Sequence, residues 1–248
     1  MEYKYDGARL QVHKQGGQVR IFSRRLTDVT TSIPEIAATV KDLVTIEAVL
    51  LEGEVIAVDD TGKPLPFQDL MRRFRRVHDV VGATTRVPLK LHLFDILVAG
   101  DEELVDRNYV ERRKILEQQA PLELLTPYVV SKDEDEIARL FEKALAEGHE
   151  GLMAKALDSK YEVGKRGKKW FKLKRAETLD LVIVAADWGY GRRTGWLSNY
   201  HLAARDENSG GFLVVGKTFK GLTDEEFTQM TKRLKELKTQ EEEFTVTV

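Results

Sequence analysis

The 248-residue chain contains no cysteine, which excludes disulfides and thiolate-bound zinc and fits a reducing interior. No apolar run approaches the ~20 residues that span a bilayer, and no charged-then-apolar stretch of the secretory type opens the chain. The expected location is the cytoplasm, or the nucleus if the source is eukaryotic. The five histidines (His13, His78, His92, His149, His201) are scattered without metal-ligand spacing. A formal net charge of −2 gives the whole molecule no pull on a polyanion. There is neither an internal repeat nor a low-complexity linker.

The chain is 42% hydrophobic and 32% charged, enough to build the core of one or two soluble domains. Its charge is unevenly spread. Residues 101–150 hold fourteen acids against seven bases, whereas residues 160–175 hold eight bases against Glu162 alone. Such a local stripe can bind phosphates even on a slightly acidic molecule.

Alternating ARLQVHK and QVRIFSR, separated by Gly16-Gly17, read as a β-hairpin. A helix is expected over 34–43, then a long buried strand in AVLLEGEVIAVD. A short helix is expected over 68–76 and another buried strand in LKLHLFDILV. Helices follow at 107–119 and 133–147, the second with Ser131 and Glu134 at capping-box spacing and Ile137, Leu140, Phe141, Ala144 and Leu145 on one face. GLMAKAL and KWFKLK return to strands. Antiparallel-type strands mixed with helices predict an α+β domain over 1–176. Beyond it, strands in LDLVIVAADW, YHLAARD and FLVVGKT, a Thr223-capped helix and a final FTVTV predict a partial barrel of the oligonucleotide-binding type over 177–248.

Two strands carry an unusual charge pattern. LEGE puts Glu52 and Glu54 on one face of an apolar strand, with Gly53 between them open to close approach. KWFKLK puts Lys172 and Lys174 on one face of what reads as a largely buried strand. Buried salt bridges would explain either strand alone. Together they predict a cleft with an acidic wall for a divalent cation and a basic wall for phosphates, to which EGLMAK adds Glu150 and Lys155. Lys4 then has a rationale as a nucleophile, because burial and nearby cations disfavour an ammonium and leave a reactive amine. Gly7 is expected to let the backbone approach a phosphate, and Asp6 to orient the loop.

Lys4-Tyr5-Asp6-Gly7-Ala8-Arg9 resembles the Lys-x-Asp-Gly-x-Arg signature of the covalent nucleotidyltransferases, which include ATP-dependent DNA ligases, RNA ligases and mRNA capping enzymes. FSRR at 22–25, LEGEVIAVD at 51–59, LHLFDIL at 91–97, EGLMAK at 150–155 and KWFKLK at 169–174 resemble that superfamily's further segments, in order. PFQDLMRRFRR, EGLMAKALDS and WFKLK are most similar to replicative-type DNA ligases of archaea and eukaryotes. The resemblance implies a nucleotidyltransferase (adenylation) domain followed by an oligonucleotide-binding barrel. It implies ATP and Mg²⁺ as cofactors, with Lys4 adenylated and pyrophosphate released. Glu2 and the backbone at Tyr3 would contact adenine, Phe94 would stack on it, and Arg9 and Glu54 would hold the ribose. Glu54 and Glu150 would bind the metal. Arg24 would meet the nucleotide phosphate and then the DNA 5′-phosphate, while Arg166, Lys172 and Lys174 would hold phosphates. The implied partner is nicked double-stranded DNA, with a sliding clamp as a further candidate, on a monomer with no membrane attachment.

The chain departs from this pattern at both ends. Only Met1, Glu2 and Tyr3 precede Lys4, and no Arg-x-Asp-Lys segment occurs before Val248, so an adenylation domain with a partial barrel is expected here, without the N-terminal DNA-binding domain of such ligases. Little or no self-adenylation from ATP, and poor nick sealing, are expected of this chain alone. The alternatives are an RNA ligase or capping guanylyltransferase on the same scaffold, which GTP labelling or RNA ends would reveal, and a non-catalytic nucleic-acid-binding fragment. The last would use the 160–175 stripe and Arg72, Arg73, Arg75 and Arg76, although Glu54 and Glu150 would repel DNA phosphates unless a metal intervened.

Overall fold

A computed structural model describes residues 1–74, 87–164, 168–176 and 178–248. The chain forms two compact units, Met1–Arg175 and Ala176–Val248, and the fold is α+β with antiparallel sheets. Arg75, Arg76, Lys165 and Arg166 lie outside the described residues.

The first unit begins with β1 (Glu2–Lys4), followed by a hairpin of β2 (Ala8–Gln15) and β3 (Gln18–Ser23). Gly16 and Gly17 both have positive φ, 54° and 78°, which a two-residue turn between right-twisted strands requires. Helix α1 (Pro34–Leu43), β4 (Val49–Ala57), α2 (Phe67–Phe74) and β5 (Leu89–Ala99) follow. Then come β6 (Glu102–Glu103), α3 (Tyr109–Gln119) and α4 (Glu134–Ala146), and finally β7 (Gly151–Lys155) and β8 (Trp170–Lys174).

These strands make a five-stranded antiparallel sheet, β3-β2-β4-β5-β6, and a three-stranded one, β1-β7-β8. The two-residue period of a strand explains the larger sheet. Leu10, Val12, Leu51, Val55, Leu91 and Leu93 form one face and join Ile36 and Val40 of α1 in the core. The opposite face presents Arg9, Glu52 and Glu54, for Arg9 lies opposite Glu54 and Gln11 opposite Glu52. Gly53 fits against β5, where an added Cβ would stand 2.9 Å from the His92 carbonyl oxygen.

In the smaller sheet Lys4, Gly151 and Lys174 share one row, and Glu2, Met153 and Lys172 the row two residues along, on the same face. Gly151 makes this possible. Its φ is +137°, and a Cβ there would lie 2.2 Å from the Leu173 carbonyl oxygen and 2.9 Å from Phe141. Gly151→Ala is therefore expected to cost about 2–4 kcal/mol through backbone strain and overpacking. A urea unfolding midpoint reads this; an unshifted midpoint would show that the sheet relaxes around the methyl group.

Three expectations change in detail. The cap of α4 is Asp133, whose carboxylate accepts from the Asp135 and Glu136 N–H groups, while Ser131 accepts from Asp133 one step earlier. β8 is an edge strand with Phe171, Lys172 and Lys174 exposed, so its lysines carry no burial cost. Arg73 is buried against Glu35, so it is no phosphate contact, whereas Arg72 stays exposed and pairs with Asp69 of its own helix at 2.8 Å.

The second unit holds β9 (Val182–Trp188), β10 (Leu197–Arg205), β11 (Phe212–Thr218), α5 (Asp224–Glu236), β12 (Gln240–Glu241) and β13 (Thr245–Thr247). They form an antiparallel sheet of the partial oligonucleotide-binding type, ordered β11-β10-β9-β13-β12. Phe227 and Leu234 of α5 pack with Ala186, Leu197, Tyr200 and Val246. Thr223 and Glu226 close the capping box expected for that helix.

Candidate active site

Lys4 ends β1, and after three intervening residues the chain enters β2, so the loop carrying Asp6 and Gly7 joins the two sheets of the first unit. Gly7 is needed for contact with protein: a Cβ there would fall 2.4 Å from the Val55 carbonyl oxygen and 2.8 Å from Cγ of Glu54. The close approach inferred from sequence is to β4, and it sets Lys4 beside the acidic face of that strand.

The Lys4 ammonium ion-pairs with Glu150, whose backbone N–H donates to the Lys4 carbonyl oxygen at 2.9 Å. Burial pushes the Lys4 pKa below its ordinary value; Glu54 and Asp6 oppose this, and Lys174 and Lys172 reinforce it. Burial raises the Glu54 carboxyl to about 7, against the pull of Lys4, Arg9 and Arg24. Lys4, Asp6, Arg9, Arg24, Glu54, Glu150, Lys172 and Lys174 thus belong to one electrostatic cluster. Arg24 lies exposed just past β3.

The two shifts define a pH dependence. Nucleophilic attack needs Lys4 without its proton, and the ion-binding role needs Glu54 without its own. Both requirements are met more fully as pH rises. Chemistry at Lys4 should therefore accelerate from about pH 6 to about pH 9, with its acid limb near the Glu54 value of about 7. Single-turnover rates across that range test this; a rate falling with pH would contradict it.

A second cluster adjoins the first through Glu2, two residues from Lys4 and on the same strand face. Glu2 is buried, 2.5 Å from the Lys155 ammonium, and accepts from the Tyr109 hydroxyl; Arg113 stands 3.8 Å away. The Lys155 ammonium also lies over the rings of Trp170 at 4.2 Å, Phe94 at 4.4 Å and Tyr109 at 4.7 Å. Phe94 meets Trp170 edge-on, with centroids 6.2 Å apart. Tyr3 alternates away from this face, its ring lying against His149, so only its backbone remains beside Glu2.

Sequence reasoning missed Tyr109, Trp170 and Tyr161, and assigned Lys155 nothing beyond its charge. Glu52 was seen as one of a pair, but its partners were not: Arg9 at 2.5 and 2.6 Å and the Tyr161 hydroxyl at 2.7 Å. No local pattern marks these residues, because each acquires its role from an element far along the chain.

Glu54 and Glu150 supply hard oxygen donors. Among the described residues no three His, Cys, Asp or Glu side chains converge. The pair therefore suits an ion that takes one or two carboxylates and completes its shell with phosphate oxygens and water, as Mg²⁺ does. A polyanion bound beside Lys172 and Lys174 would complete the set.

Residues 1–174 match the family profile described as ATP dependent DNA ligase domain. The chain is 50% identical over 239 residues to a probable DNA ligase of Anaeromyxobacter dehalogenans, covering 96% of this chain and 46% of that protein. It is also 50% identical to DNA ligase 1 of Korarchaeum cryptofilum, covering 96% of this chain and 44% of that one. The chain spans less than half the length of these curated relatives. Among solved structures, mycobacterial DNA ligase D complexed with ATP and MES superposes with a TM-score of 0.57 at 27% identity, over 100% of this chain and 79% of that one.

Proposed function

Because the chain belongs to the ATP-dependent DNA ligase family, we propose that Lys4 attacks the α-phosphate of ATP, releasing pyrophosphate and holding AMP through a P–N bond. In the whole protein the 5′-phosphate oxygen of a nick in duplex DNA then displaces Lys4 to give a DNA-adenylate. The 3′-hydroxyl next attacks that phosphate, forming the phosphodiester and releasing AMP. Each step is an in-line displacement at phosphorus, in which positioning and charge neutralisation dominate. The observation that carries this reading is the position of Lys4, held by burial and by Lys172 and Lys174 below its ordinary pKa, beside Glu54 and Glu150.

The remaining residues take roles that follow from their places. Glu2 and Lys155 offer an acceptor and a donor at the end where Phe94 provides an aromatic wall, which suits adenine. Arg9 and Glu54, opposite each other on β2 and β4, suit the ribose. Lys172 and Lys174 suit the nucleotide phosphates, and the exposed Arg24 suits the DNA 5′-phosphate. Mg²⁺ on Glu54 and Glu150 would offset phosphate charge when bound. Lys4 departs readily once reprotonated, so its P–N bond serves as a temporary carrier.

Prolonged incubation with ATP and a magnesium salt, followed by peptide mapping, tests the proposal. The expected result is a small yield of AMP adduct, all of it on the peptide containing Lys4. An adduct on another residue, or labelling by GTP in preference to ATP, would overturn it.

A further inference from the structure

The LEGE run sets two carboxylates on one face of β4, and the structure treats them differently. Glu54 makes no hydrogen bond or ion pair to any described residue and is partly buried. Glu52 is 2% exposed, and both its oxygens face Arg9 Nη2, at 2.6 and 2.5 Å. The Tyr161 hydroxyl closes the triangle: it donates to Glu52 Oε1 at 2.7 Å and accepts from Arg9 Nη2 at 3.0 Å.

Tyr161 comes from the connection between β7 and β8, and thus from the smaller sheet, whereas Arg9 and Glu52 belong to the larger one. Its own place is fixed. The Tyr161 N–H donates to the Val105 carbonyl oxygen at 3.0 Å, and the nearby Ser159 carbonyl oxygen accepts from the buried Arg112 at 3.2 Å. A phenol is suited to this position because it donates to a carboxylate and accepts from a guanidinium with one oxygen.

We propose that Tyr161 is a positioning residue for the nucleotide: it locks Arg9 onto Glu52, so that the guanidinium turns its remaining N–H groups toward the ribose and leaves Glu54 unclaimed. Arg9 lies opposite Glu54 across the β2–β4 ladder, so a released guanidinium has a second carboxylate within reach. Pairing there would withdraw Arg9 from the sugar and cover a carboxylate assigned to the metal. The proposal rests on the reading above in one respect, that the ribose lies at Arg9.

The test compares dissociation constants for ATP and for 2′,3′-dideoxy-ATP, which lacks the hydroxyls, in the parent protein, Tyr161→Phe and Arg9→Ala. Binding is measured without turnover, so slow chemistry does not interfere. Tyr161→Phe should weaken ATP roughly tenfold, as loss of a hydrogen bond to charged groups does. It should leave the dideoxy analogue nearly unchanged, so that discrimination between the two collapses as in Arg9→Ala. The ring remains, so the melting temperature should stay near that of the parent. If Tyr161→Phe keeps full discrimination while Arg9→Ala loses it, Tyr161 does no positioning and the inference fails alone. Equal weakening of both nucleotides with a lowered melting temperature would likewise assign Tyr161 a purely structural role. If Arg9→Ala itself retains discrimination, the ribose is elsewhere and the inference falls together with that part of the site.

Discussion

Lys4→Ala should abolish covalent AMP, lowering adduct formation by at least about three orders of magnitude, while ATP and DNA affinity change little. The asymmetry follows from the division of labour in the cleft. The end proposed for adenine holds Glu2, Lys155 and Phe94, and the proposed phosphate wall holds Lys172 and Lys174; none of these is lost with Lys4. What disappears is the one amine that burial and two neighbouring lysines bias toward its neutral form. Glu150 loses its counterion but is 31% exposed at the side chain, so water can solvate it. Labelling with radioactive ATP, set beside equilibrium dialysis with ATP and a DNA shift assay, measures both halves. Undiminished labelling would place the nucleophile elsewhere. A large loss of DNA affinity would make Lys4 a phosphate contact in a binding module instead.

Arg112→Ala should have the largest effect on stability, about 3–5 kcal/mol. Arg112 and Asp95 are both fully buried, joined by two parallel bonds of 2.8 and 2.9 Å. Arg112 Nη1 donates to the carbonyl oxygens of Arg107 at 2.7 Å and Ser159 at 3.2 Å. Removing the guanidinium leaves a buried carboxylate without its cation and two carbonyls short of a donor. It also frees the segment that presents Tyr161 to Arg9 and Glu52, so nucleotide affinity should fall with stability. Denaturant unfolding reads the first effect and ATP binding the second. The double variant Arg112→Met/Asp95→Leu should recover most of the stability, since replacing both partners removes the unpaired charge. If Arg112→Ala unfolds like the parent protein, the pair contributes nothing net.

The order of strands and helices was legible because local rules govern it. Gly16-Gly17 specifies a tight hairpin through positive φ, Pro34 opens a helix, and the Thr223/Glu226 spacing caps another. Lys4, Asp6, Gly7, Arg9, Glu54 and Glu150 were identifiable as a set through their resemblance to a known pattern, and the pairing of charges in LEGE and KWFKLK gave that set a physical meaning. Other readings failed where burial had to be guessed. KWFKLK looks buried because it alternates with aromatic residues, yet it lies at a sheet edge. Arg73 looks like one member of an exposed basic cluster, yet it is buried against Glu35, a partner 38 residues away.

The sequence by itself determined the elements, the candidate nucleophile and the charged faces of the LEGE and KWFKLK strands, because these depend on residue type, spacing and strand period. Tertiary structure decided which carboxylate Arg9 takes, that Gly7 packs against β4, that Lys155 stands among three aromatic rings beside Glu2, and that Tyr161 reaches the opposite sheet. Those outcomes depend on contacts between residues up to 153 positions apart. An ion pair or hydrogen bond at that separation is selected by packing geometry, which local sequence does not encode.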